Sequence, residues 1–306
     1  MNAPLIDVVA HLAWDCDFPH PDWPRIRSAD PPDLPADLRN AVETARERAW
    51  LEYLRDHLGG RYTLHESPFT FLLTEQSDAD AARTLAFIDR SIATLTDALE
   101  GAADSAFSGK HVVLLFTEDD DYYSYISHFF PDGTFGLMGG VCIRGGGEVH
   151  IAVNGLRPDL NTTLAHELVH DLLSQRPLPQ WVEEGVAQLL TRYVVDSPPF
   201  DFTPDLQALN GQLWHWHGLE TLWSGEAFSR PDDLQHVSYH LAELLVRLMN
   251  ATNAAAFNKF LLHATAQDAG ESACREHFHV SLIHFVTQIL GAGPWFPPTP
   301  QATPNE

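Results

Sequence analysis

Apolar residues recur along this chain with two different periods, and the change of period marks out its elements. From Ala36 to Leu58, Leu38, Val42, Ala45, Ala49 and Leu54 fall at roughly helical spacing, and Gly59-Gly60 supplies a stop. Phe69-Thr-Phe-Leu-Leu-Thr74 then reads as a strand. Asp78 to Leu99 reads as a helix with Ala82, Leu85, Ile88, Ile92, Leu95 and Leu99 on one face. His111-Val-Val-Leu-Leu-Phe116 is a second strand, and Asp119 to Phe130 a short helix rich in Tyr and Phe. The Gly-rich stretch Gly133 to Gly147 predicts two short strands joined by a flexible turn, with the strand Glu148 to Val153 following. Its glycines lack the spacing of a P-loop or a dinucleotide fingerprint, which argues against phosphate binding. Asn161 or Thr162 is placed to cap the next helix; Pro177 and Pro179 end it and open another over Gln180 to Val194.

Beyond Pro198 the pattern is mainly helical, with helices predicted over Asp233 to Asn250, Ala254 to His263, Glu271 to His277 and Ser281 to Leu290. Residues 18–36, rich in Pro and Asp, read as an irregular wrap. Strands and helices mixed in this way predict an α+β fold. Four regions are expected: an N-terminal extension over 1–65, partly irregular and helical; a sheet with two motif-bearing helices over 66–200; a helical subdomain over 201–292; and a Pro-rich tail over 293–306.

At 306 residues the chain is long enough for a substantial core. No run approaches eighteen unbroken apolar residues, so no transmembrane helix is expected. The N-terminus has no basic segment ahead of its short apolar stretch, which Asp7 interrupts, so it does not read as a secretory signal. Cys16, Cys142 and Cys274 are few, odd in number and far apart, as in unpaired thiols of a reducing compartment; the expectation is a cytoplasmic protein. A net charge of −24 disfavours nucleic acid and anionic membrane surfaces as partners.

The chemistry concentrates in Leu164-Ala-His-Glu-Leu-Val-His-Asp-Leu-Leu173. His166 and His170 stand one helical turn apart on one face, a register in which two imidazoles bind one Zn²⁺. Glu167, beside the first of them, can act as general base on a water at such an ion. Leu164, Ala165, Leu168, Val169, Leu172 and Leu173 cover most of the helix circumference, so the helix is expected to be buried nearly all round. Buried polar side chains need partners, and a metal supplies them. Zinc in a hydrolase takes three protein ligands and keeps one position open. Leu178-Pro-Gln-Trp-Val-Glu-Glu-Gly-Val-Ala-Gln188 offers two adjacent carboxylates, Glu183 and Glu184, on a second helix.

With H-E-x-x-H followed by P-x-W-x-x-E-G-x-A, the chain resembles the gluzincin zinc metallopeptidases, and more closely the peptidase MA-like proteins of bacteria. Trp181, Glu184, Gly185 and Ala187 match that pattern position by position. The resemblance covers roughly residues 66 to 290. It implies a zincin-like fold, with a small mixed sheet, an active-site helix and a C-terminal helical subdomain. It implies one Zn²⁺ held by His166, His170 and Glu184, and leaves Glu183 a solvated or neighbouring carboxylate. Gly185 would let the second helix pack closely on the first. The strand before the metal helix, Glu148 to Val153, would lie at or near a sheet edge and pair with extended substrate. Relatives stabilise an oxyanion with a Tyr or His from the helical part, which points to Tyr239, with His236 and His240 behind it. One position departs from thermolysin-like sites: where an Asp follows the third ligand by four residues, this chain has Gln188.

The expected function is therefore a zinc-dependent hydrolase, a peptidase acting on peptide or protein substrates with Glu167 and Tyr239 as catalytic residues. The alternative is a zinc-containing, non-catalytic domain that binds a protein partner through the same cleft. The presence of Glu167 speaks for the first, because metal binding alone does not require it.

Overall fold

The computed structural model describes residues 8–13, 18–103, 108–131, 133, 139–197 and 203–298. Cys16, part of the Gly-rich stretch and the ends of the chain, with the expectations placed on them, lie outside the described residues. The described residues form two compact units, Met1–Thr94 with Ser105–Ser174 and Leu95–Asp104 with Gln175–Glu306.

The first unit is built on a five-stranded mixed sheet. Two short strands, β1 (Leu12–Ala13) and β2 (His20–Pro21), pair with each other, and the helices α1 (Trp23–Arg27) and α2 (Ala36–His57) follow. The main sheet is formed by β3 (Thr63–Glu66), β4 (Thr70–Thr74), β5 (His111–Phe116), β6 (Gly140–Gly145) and β7 (Glu148–Asn154). Its order is β3-β4-β5-β7-β6. The three middle strands run parallel and both outer strands antiparallel to their neighbours. β4 and β5 are buried at every position, which is why they read as unbroken apolar runs rather than as alternating ones. α3 (Asp78–Ala98) connects β4 to β5, and α4 (Asp119–Phe129) follows β5. On α3 the buried stripe is Ala81, Leu85, Ile88, Ile92 and Leu95, with Ala81 taking the place expected for Ala82.

β6 and β7 form a hairpin whose two-residue turn, Gly146 and Gly147, has φ of +57° and +84°. Two successive positive φ values are the demand that a tight hairpin of this kind makes, and glycine meets it without strain. β6 is the outermost strand, so β7 lies one strand in from the edge.

The hairpin divides two environments. A Cβ on Gly140 would meet Thr163 and Glu167, and Arg144 reaches His170, so Gly140, Cys142 and Arg144 face the helix α5 (Leu160–Leu172). Val141 and Ile143 point the other way, into an aromatic core with Trp23, Trp50, Phe116 and Tyr125. Trp50 anchors the N-terminal segment there by donating from Nε1 to the Pro19 carbonyl at 2.9 Å.

The second unit is helical: α6 (Gln180–Val194), α7 (Pro204–His217), α8 (Glu220–Ser224), α9 (Asp233–Thr252), α10 (Ala254–His263), α11 (Glu271–Phe278) and α12 (Leu282–Leu290). Its core gathers Trp181, Trp223, Leu241, Leu245, Phe260 and Phe285. α6 lies directly on α9: a Cβ on Gly185 would stand 2.5 Å from the Ala242 carbonyl oxygen and 2.7 Å from Val246 Cγ2. Gly185 therefore serves the α6–α9 crossing, a packing role that the resemblance assigned to the metal helix. No helix among the described residues is long and apolar enough to cross a membrane.

Candidate metal centre

α5 begins after Asp159, whose side chain makes no capping hydrogen bond; Asn161 and Thr162 lie inside the first turn instead of capping it. Leu164, Ala165, Leu168, Val169 and Leu172 are buried, and the helix packs on β6 and β7. With the apolar positions committed to that packing, the histidines share what remains of the surface. His166 is partly exposed and His170 is buried.

Their Nε2 atoms face each other at 3.1 Å, with the ring planes 71° apart. Two imidazoles bound to one tetrahedral zinc at ~2.0–2.1 Å would hold their nitrogens about 3.3–3.4 Å apart. The pair is thus pre-set to within a few tenths of an ångström of a ligating spacing. In the tautomer protonated at Nδ1, each Nε2 presents a lone pair to a common point, a donor set that zinc fits.

Glu184 on α6 is buried, whereas Glu183 beside it is half-exposed. His166, His170 and Glu184 each offer one ligand atom, and these atoms all lie within 4.8 Å of one another. These are the three residues expected as ligands. Gln188, one turn further along α6, is half-buried.

Glu167 is 5% exposed and lies under the edge strand. A Cβ at Gly140 would come within 3.2 Å of Glu167 Cγ, 2.6 Å of Thr163 Cγ2 and 2.9 Å of Val153 Cγ1, so only glycine leaves room for the carboxylate's stem. Tyr122 of α4, fully buried, feels the same carboxylate. Burial first, and the negative charge of Glu167 after it, hold the Tyr122 phenol protonated well above the usual range.

Two further groups brace α5. Asp171, next to His170, is paired through its carboxylate with Nδ1 of His111 on β5. Burial disfavours the His111 cation, but the Asp171 charge outweighs it and the His111 pKa moves upward. Arg144 of β6 donates from Nη2 to the His170 carbonyl. The Cys142 thiol, on the same face, is pushed well above its ordinary pKa by burial, with Asp171 adding to the effect. It stays protonated and unreactive.

Tyr239 lies on α9, half-buried, with its ring edge-on to Phe228 at 5.2 Å between centroids. His236 and His240, one turn apart on the same helix, have centroids 4.2 Å apart; burial, with His236 nearby, lowers His240 to about 4.

Sequence reasoning did not find Tyr122, Arg144, His111 or Gly140. Asp171 sits beside His170 in the motif and is the one readable signal, but its partner is sixty residues away in a strand. Compared with models of known protein families the chain matches none, and no curated protein is recognisably similar to it.

Proposed function

We propose that this protein is a zinc-dependent hydrolase of the gluzincin type, most simply a peptidase. The observation that carries the reading is the convergence of His166, His170 and Glu184, with a buried Glu167 adjacent to the first ligand. His166, His170 and Glu184 would hold the ion. A zinc bound there supplies Lewis acidity toward a carbonyl and a water that ionises near pH 7.

The remaining work falls to the chain. Glu167 removes a proton from the attacking water and returns it to the departing amine. Asp171, Arg144 and the edge strand fix the turn of α5 that carries His170, so the ligand is oriented before substrate arrives. Tyr239 offers a phenol for the developing oxyanion, a role the resemblance suggests.

The test is elemental analysis of the purified protein together with cleavage of a mixed peptide library, with and without chelator. The reading expects about one zinc per chain and peptide cleavage that stops on chelation and returns with added zinc. Stoichiometric zinc with no cleavage of any peptide, ester or amide would favour a non-catalytic zinc domain instead.

A further inference from the structure

The sheet has a second polar site, on the face turned away from α5. The strand pleat sets His150 and Glu148 of β7 beside Ile143 and Gly145 of β6 on that face. The N-terminal segment and α4 close over them, leaving a cavity of 370 Å³ lined by His20, Pro21, His128, Phe129, Ile143 and Glu148 among others. That volume falls at the small end of the range for ligand pockets, about 300–1,000 Å³.

Glu148 is the feature that calls for a ligand. Its side chain is only 9% exposed. Its Oε2 accepts from Trp23 Nε1 at 3.1 Å. Its Oε1 has His20 Nδ1 at 3.7 Å, beyond hydrogen-bond reach, and the Glu148 side chain lines the cavity. A mostly buried carboxylate that lines an aromatic cavity offers a charged acceptor, and a charge-assisted hydrogen bond to it is stronger than a neutral one.

The walls are aromatic. His20 and His128 stack face to face, with centroids 4.7 Å and planes 11° apart. Phe129 stands edge-on to both, at 4.9 Å from each. Stacked imidazoles point their nitrogens sideways instead of at one centre, which is poor geometry for a metal. Among the described residues the metal-ligating group is the one on α5 and α6. An anion would be repelled by Glu148. Arg144 borders the cavity, but its guanidinium reaches His170 on the other face. Arg27, whose charge also acts on Glu148, is engaged by Glu43 and the Gly147 carbonyl. What suits a mostly buried carboxylate between aromatic faces is a positive charge that can donate.

We propose that this cavity binds a small organic cation, a primary ammonium or guanidinium group on a flat or apolar body, with Glu148 as counter-ion and the His20–His128 stack and Phe129 as walls. The site lies across the sheet from the metal helix and stands whether or not the chain hydrolyses peptides. The cation comes either from a free amine or from a Lys or Arg side chain of a peptide.

The experiment is calorimetric titration of the full chain at pH 8, above the value of about 7 to which burial lifts the Glu148 carboxyl. A chelator is present throughout, so that no amine is held by a metal. The probes are phenethylamine, agmatine, 2-phenylethanol as a neutral counterpart, and lysine and arginine peptides with blocked termini. At least one cation should bind saturably, at least tenfold tighter than 2-phenylethanol and at least tenfold weaker in Glu148→Gln. Tighter binding of the blocked peptides assigns the cation to a side chain, and tighter binding of the free amines assigns it to a small molecule. His128→Ala, at a half-exposed wall position, should weaken binding severalfold and keeps the test valid if Glu148→Gln fails to fold. Absence of saturable binding by every cation, equal affinity for phenethylamine and 2-phenylethanol, or undiminished binding in both folded variants overturns the proposal.

Discussion

Glu148 and His150, two residues apart on one face of β7, should give this protein opposing responses to acid. His150 is 1% exposed; its Nε2 meets the Tyr125 hydroxyl at 2.8 Å and its Nδ1 has no hydrogen-bond partner. Burial lowers its pKa from the ordinary 6.5 to about 3. Between those values the unfolded chain binds a proton that the native protein does not, so acidification costs stability. Burial lifts Glu148 from 4.5 to about 7. There the native protein holds the proton and the unfolded chain does not, so acidification adds stability. Each group contributes at most ~1.4 kcal/mol per pH unit, and from pH 6.5 to 4.5 the two slopes cancel. Removing either one exposes the other. Glu148→Gln should lose up to roughly 2.7 kcal/mol across that window relative to wild type, and His150→Gln, whose amide can still meet Tyr125, should gain a similar amount. The two variants therefore diverge by up to about 5 kcal/mol at pH 4.5 if referenced at pH 6.5. Urea unfolding followed by tryptophan fluorescence at pH 4.5, 5.5, 6.5 and 7.5 reads this, since groups remote from β7 give all three proteins the same background, and repeating the series with His20→Gln accounts for the imidazole 3.7 Å from Glu148. Parallel pH profiles for the three proteins would refute the reasoning.

Other outcomes follow from the metal centre and its frame. Glu167→Gln should keep its zinc and lose hydrolysis by on the order of 10² or more, measured as kcat/KM beside metal content; full activity at full occupancy would remove Glu167 from the mechanism. Glu184→Gln should weaken zinc binding by tenfold or more in competition with a chromophoric chelator, while Glu183→Gln stays near wild type; the reverse order would reassign the third ligand. Gly185→Ala should cost about 1–3 kcal/mol in urea unfolding, because its methyl would enter the Ala242 carbonyl; no loss would mean that α6 and α9 yield easily.

Long elements with one clear period were readable from sequence. His111–Phe116, Gln180–Val194 and Ala254–His263 have the expected bounds, and α2, α3 and α9 differ only by a residue or two at their ends. Elements with little apolar content of their own were not. β3, Thr-Leu-His-Glu, is held by pairing with β4, and β1, β2 and α1 are held by aromatic packing and hydrogen bonds to distant residues. The order of the strands was also hidden, because nothing in Glu148–Asn154 signals that Gly140–Gly145 pairs outside it. At the candidate site, the pairing of His166 with His170 was legible because helical spacing is local. His111 and Arg144 were not, since each reaches α5 from another element and carries no motif. The absence of a capping bond at Asp159 shows the same limit: tertiary packing of a buried helix replaces a local signal.

Gly140 carries a consequence for how this protein tolerates change. It has no functional group, touches no ligand atom and lies twenty-six residues from the motif, so a search for active-site residues would pass over it. Yet any β-carbon there presses on the stem of Glu167 and on Thr163 and Val153 at once. A saturation library scored twice, for abundance and for turnover, should separate two kinds of intolerant position. Sites such as Leu164 or Ile151 would fail on abundance. Position 140 would group with the chemistry, losing turnover in clones that still accumulate, a steric dependence written into a residue defined by what it lacks.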